Sequence, residues 1–103
     1  MGQLRPVKLH YTTPALADLK GLARYIDPHS PQGARRVQQR IKHLIEQLPH
    51  QPFIGKVTDD PTIRRLTTTP YPYLIFYEVT DAEIIIHAVR HGARDPSTMP
   101  RQS

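Results

Sequence analysis

Cysteine is absent from the 103 residues, which excludes a disulfide framework, thiolate metal sites and a cysteine nucleophile, and leaves packing as the source of stability. Long apolar runs are absent too. No stretch approaches the roughly 18 residues of a membrane helix, and Arg5 and Lys8 flank the first short apolar stretch where a leader would be basic, then apolar. A cytoplasmic protein without membrane contact is expected. Internal repeats and low-complexity segments are missing, and Lys56 is the only lysine after Lys42. A second core would leave each half too small to fold alone, so residues 1–96 form a single domain and 97–103 a flexible tail. The formal charge of +5 with neutral histidines attracts nucleic acid or an acidic protein segment, and its sign does not choose between them.

Val7 to Tyr11 alternates apolar and polar residues, the pattern of a half-buried strand. Thr13 followed by Pro14 marks a helix start, with Asp18 placed to favour the positive end of the helix dipole. Leu16, Leu19, Leu22, Ala23 and Ile26 line one face of this helix, which runs to Asp27 before Pro28. Gly21 in its middle costs about 1 kcal/mol relative to alanine, and close packing is the expected reason for it. Ser30-Pro31 starts a second helix, folded back antiparallel on the first, with Ala34, Val37, Ile41, Leu44, Ile45 and Leu48 at helical spacing. Residues 49–61, with three prolines and Gly55, read as a loop. Three strands follow, at 62–68, 73–80 and 83–91, the last two joined as a hairpin through Asp81-Ala82. The unbroken runs Leu74 to Tyr77 and Ile84 to Ile86 place these two strands centrally in the sheet. Arg64 and Arg65, being adjacent, point to opposite faces.

In the first helix stand Ala15, Asp18, Leu19, Tyr25 and Ile26; in the meander, Ile63-Arg64-Arg65-Leu66, Tyr73-Leu74-Ile75-Phe76-Tyr77 and His91-Gly92-Ala93-Arg94-Asp95-Pro96. In this order, over residues 7–96, the chain resembles the RelE/ParE toxin superfamily of type II toxin-antitoxin systems, and its ending resembles the ParE branch. The resemblance implies an α+β fold of order β-α-α-β-β-β, a twisted antiparallel sheet with the helical hairpin packed on one side. It also implies a toxin held inactive by a cognate antitoxin, ParD-like or similar, whose amphipathic tail lies along it. ParE-like members poison DNA gyrase and serve plasmid stabilisation, whereas RelE-like members cut messenger RNA in the ribosome; a shared scaffold does not choose between them.

An RNA-cleaving site needs an acid, a base and cations around the phosphate. The candidates are His91 as acid or base, Tyr77 as donor, and Arg65, Arg90, Arg94 and Lys56 as cations. His91 precedes Gly92 and equally suits the ordering of a turn. The lysines and arginines that RelE-like members crowd into the loop and first meander strand are few here, with Lys56 the only lysine after Lys42; within that resemblance this argues against an efficient nuclease, so a non-catalytic poison is the leading reading and a ribosome-dependent endoribonuclease the alternative. Arg64, Arg65, Arg90 and Arg94 are the candidate partner-binding residues, able to pair with acidic side chains of an antitoxin or with phosphate. Arg35, Arg36, Arg40 and Lys42 read as a solvated helix face, and Tyr71, Tyr73 and Tyr77 as sheet packing. The six histidines show no i, i+4 pair on a predicted helix, so neither a metal nor another cofactor is expected.

Overall fold

A computed structural model describes residues 8–25 and 30–92, without the side chains of 23–25. Expectations for Val7, Ala23, Ile26, Asp27, Arg94 and the tail 97–103 lie outside the described residues or side chains.

The elements are β1 (Lys8–Tyr11), α1 (Thr13–Tyr25), α2 (Pro31–Gln47), β2 (Lys56–Val57), β3 (Arg64–Thr68), β4 (Tyr71–Val79) and β5 (Glu83–His91). They build an α+β fold around one five-stranded sheet of order β1-β5-β4-β3-β2. Neither described helix is long and apolar enough to cross a membrane.

Both helix starts are held by hydroxyls. Ser30 Oγ accepts from the Gly33 N–H at 3.3 Å, with Pro31 as the first residue of α2. For α1 the cap is Thr12 rather than Thr13: its Oγ1 accepts from the Ala15 N–H at 3.1 Å and its carbonyl from the Leu16 N–H at 3.0 Å. Pro14 suits the second helical position as well as the first, because both lack an intrahelical acceptor. Thr12 also donates its N–H to the Ile86 carbonyl at 3.1 Å. The helix start is thereby fastened to β5. The helices are tied to each other by Gln38, whose Nε2 donates to the Leu19 carbonyl at 3.2 Å.

β3, β4 and β5 form the expected antiparallel meander, but β1 pairs with β5 in parallel, from Lys8 with Glu83 to Tyr11 with Ile86. The sheet is therefore mixed, not antiparallel throughout, because the helical hairpin and meander bring β5 back beside β1 in the same direction, as a crossover connection permits. β2, within the expected loop, is too short and exposed to carry an alternation signal. Strand β3 begins at Arg64 rather than 62 because Asp60 holds a turn, accepting from the Thr62 N–H through Oδ1 and from the Ile63 N–H through its carbonyl, both at 2.9 Å.

One core lies between helices and sheet, where Ala15, Leu22, Val37, Ile41, Ile45 and Leu48 meet Tyr73, Ile75, Tyr77, Ile84, Ile86 and Val89. Fully burying one such aliphatic side chain contributes roughly 1.5–3 kcal/mol. Leu16, expected in this core, is 44% exposed, since the buried stripe of α1 runs through Ala15, Leu19 and Leu22 instead. Gly21 does not pack closely: a Cβ there would meet nothing within 4 Å.

On the opposite face Ile63, Phe76 and Ala88 cluster with Leu74. A register shift between Phe76 and Tyr77 pairs Phe76 with Ala88 and Tyr77 with Ile86. His87 is thus the extra residue of a β-bulge, and His87 and Ala88 project to the same side. That insertion lets Ile84, Ile86 and Val89 all face the helices despite their uneven spacing.

Candidate functional site

The candidate site is the face of the sheet on which neither described helix packs. Register carries Lys56, Arg65, Phe76 and Ala88 in one row across β2, β3, β4 and β5, and Thr67, Leu74 and Arg90 in the next row across β3, β4 and β5. Strand spacing and rise put the Cα atoms of Arg65 and Arg90 about 12 Å apart, on either side of β4. Phe76 and Ala88, with 2% and 1% exposure, form an apolar centre with Ile63 and Leu74; Lys56 and Arg65 are exposed beside it, and Arg90 is half-buried. The apolar cluster is thus already covered within this chain, and the side chains this face presents to a partner are the exposed Lys56 and Arg65.

Two further side chains shape this face. His87 Nε2 lies 2.9 Å from Glu78 Oε1. Asp18, reaching from α1, accepts the Val89 N–H on Oδ2 at 2.9 Å, with Arg90 Nε 3.4 Å from the same oxygen. Arg90 Nε is buried and makes no hydrogen bond. Asp18 thus closes the edge of β5 beyond the reach of β1; it is not in the first turn of α1, where the dipole would act on it most strongly.

The other candidates lie on the helix side. The Tyr77 hydroxyl, in a fully buried side chain, donates to the Pro52 carbonyl and accepts from the Gly55 N–H, both at 2.8 Å. Burial raises its pKa above the ordinary 10.0, against smaller lowering by the Gly55 hydrogen bond and the Arg64 charge. Arg64 Nη1 donates to the Gly55 carbonyl at 2.7 Å and the Phe53 carbonyl at 3.3 Å, and its guanidinium lies 4.9 Å from the centre of the Phe53 ring. His91 pairs with Tyr73, their rings edge to face at 5.2 Å.

Of the residues proposed for a nuclease, the cations Lys56, Arg65 and Arg90 are therefore on the open face, whereas Tyr77 and His91 are not. Of the four partner-binding candidates, Arg65 and Arg90 share that face, Arg64 secures the 52–55 loop, and Arg94 lies outside the described residues. Sequence reasoning misses the His87–Glu78 pair and the apolar centre around Phe76. The cross-strand bulge sets their facing, and its only trace in the sequence is the broken alternation of 84–89. Among the described residues no three His, Asp or Glu gather as a metal site.

The family described as ParE toxin of type II toxin-antitoxin system, parDE, matches residues 9–96. The chain belongs to this family. Toxin RelE2 of Caulobacter vibrioides is 38% identical over 84 residues, which are 82% of this chain and 93% of the relative. In the chromosomal ParDE system of P. aeruginosa a chain is 25% identical and superimposes with a TM-score of 0.73, over 84% of this toxin and 96% of that chain. The E. coli DinJ-YafQ toxin-antitoxin complex holds a chain with the same fold at 14% identity, TM-score 0.61, over 86% and 96% respectively. The protein is a type II toxin of the ParE/RelE superfamily.

Proposed function

We propose that this toxin inhibits DNA gyrase by binding it, without cutting nucleic acid, and that a cognate ParD-like antitoxin neutralises it in the cytoplasm, an arrangement that serves plasmid stabilisation. The observation that carries the non-catalytic reading is the division of the nuclease candidates. Arg65 is on the open face, whereas Tyr77 and His91 belong to the helix side and the Tyr77 O–H is engaged by Pro52. A general acid and a phosphate-binding cation must meet at one scissile bond, and these residues do not converge. The match over residues 9–96 to the ParE family supports the same choice of target. Purified toxin added to gyrase and plasmid is expected to abolish supercoiling or trap cleaved DNA. Unaltered gyrase at stoichiometric excess of toxin overturns the reading.

One observation favours a ribosome-dependent endoribonuclease instead. His87, oriented by Glu78, shares the open face with Arg65, Arg90 and Lys56. An imidazole beside several cations is a workable acid for a phosphodiester. Toeprinting of a translated message separates the two: new cleavage that His87→Ala abolishes supports the nuclease, and an intact message supports the gyrase poison.

A further inference from the structure

Strand β2 is the outer edge of the sheet among the described residues. The Thr58 N–H donates to the Ile63 carbonyl across β3 at 3.0 Å, so by strand alternation the N–H and C=O of Val57 point the other way, to the free edge. Around them the side chains divide by face. Val57, opposite Arg64 in register, and Phe53, under the Arg64 guanidinium, lie on the helix side and are 51% and 64% exposed. Lys56 is opposite Arg65, and both are exposed on the other side. Asp59 and Asp60 lie beyond the strand, in the turn to β3, where Asp60 is engaged with Thr62.

The edge is held ready. Tyr77 and Arg64 together make four hydrogen bonds to the backbone of Pro52, Phe53 and Gly55, so the apolar side chains stand exposed on a pinned segment. A pinned loop loses little conformational freedom when a partner lands on it. We propose that this edge accepts one added strand from the antitoxin, an extended segment in which apolar residues alternate with acidic ones. Main-chain bonds to Val57 hold the strand, its apolar residues cover Phe53 and Val57, and its acidic residues meet Lys56 and Arg65. The inference rests on the reading that an antitoxin neutralises the toxin. A second copy of this chain suits the edge poorly, since pairing β2 with itself would crowd Lys56 and Arg65 of both copies on one face.

The test titrates the antitoxin encoded beside the toxin gene against wild type, Val57→Pro, Val57→Thr and the Lys56→Glu/Arg65→Glu pair. Proline removes the outward N–H and is tolerated at a sheet edge, whereas threonine keeps it. Val57→Pro is expected to weaken binding at least about tenfold, with Val57→Thr close to wild type and the charge pair both weaker and less salt-dependent. Hydrogen exchange on the wild-type complex needs no variant to fold, and is expected to protect the Val57 amide. No binding by wild type removes the antitoxin reading itself. Wild-type affinity for Val57→Pro, or an unprotected Val57 amide in the complex, overturns the edge. Self-association of toxin alone that Val57→Pro abolishes overturns the choice of occupant.

Discussion

The Gly55 N–H donates to the Tyr77 hydroxyl at 2.8 Å, and a Cβ at residue 55 would stand 2.8 Å from the Tyr77 ring and 3.0 Å from the Arg65 carbonyl oxygen. Tyr77→Phe leaves that N–H and the Pro52 carbonyl without their partner, and is expected to cost about 1–3 kcal/mol. Gly55→Ala forces the contact with the Arg65 backbone, which cannot yield as a side chain can, at a similar cost. Urea denaturation measures both; a Tyr77→Phe protein as stable as wild type would show that the hydroxyl contributes nothing.

Stability should fall at alkaline pH. Burial raises the Tyr77 pKa, and burial followed by the Glu46 carboxylate raises that of Tyr11. A phenol with a folded pKa above its unfolded one contributes stability that is complete below the unfolded value, near 10, and lost as pH rises through the folded value. Thermal unfolding followed upward from pH about 9 should show this decline, and Tyr77→Phe should make it shallower while Tyr11 keeps its share. An identical slope in the variant would contradict the assignment.

Arg64 and Arg65, adjacent in sequence, should separate by experiment. Arg64→Ala removes two hydrogen bonds to the 52–55 loop and the contact with Phe53, an expected cost of about 1–2 kcal/mol. Arg65→Ala, on an exposed side chain, should alter stability by less than about 0.5 kcal/mol and act on antitoxin affinity. Calorimetry of the free proteins and titration of the complexes give the two numbers independently. A stable Arg64→Ala protein would return that residue to the partner-binding set.

Asp18 joins α1 to the exposed end of β5. Asp18→Ala strands the Val89 N–H, at an expected cost of about 1–3 kcal/mol, and accelerates hydrogen exchange at Val89. Asp18→Asn keeps an acceptor for that N–H and should lose less. Exchange at Val89 unchanged in the alanine variant would mean that the bond is unimportant in solution.

Gly21 offers a gain instead. It lies inside α1 with open space where a Cβ would be, so Gly21→Ala should raise stability by about 0.5–1 kcal/mol through helix propensity and a less flexible unfolded chain. A lower melting temperature would point to a constraint on this position beyond its surroundings.

Signals confined to a few neighbouring residues are legible in this sequence. Ser30 and Pro31 mark the start of α2, and the hairpin around Asp81-Ala82 delimits β5 as Glu83–His91. The direction of β1 is not legible, because alternation is the same in parallel and antiparallel strands and only the crossover decides. The site is legible to the same depth. That Arg64 and Arg65 part to opposite faces follows from strand geometry, but which of them meets Phe53 depends on how the 52–55 loop folds back. Tyr77 and His91 suggest themselves for nuclease chemistry by residue type. Their facing is set by the stacking of β4 on the helices, a property of distant packing, and the same packing engages Tyr77 with Pro52.

The parallel pairing of β1 with β5 has a consequence for synthesis. The four residues of β1 leave the ribosome first among the elements, yet their partners in the sheet are residues 83–86. A strand so short is not stable unpaired. Until β5 is made, Thr12 has no Ile86 carbonyl to bind, and the helix-side core lacks Ile84, Ile86 and Val89. A translation event that stops short of β5 therefore releases a fragment that cannot complete the sheet. The folded form exists only after β5 has been made, which gives a waiting antitoxin a finished surface to meet and spares the cell from products truncated before that strand.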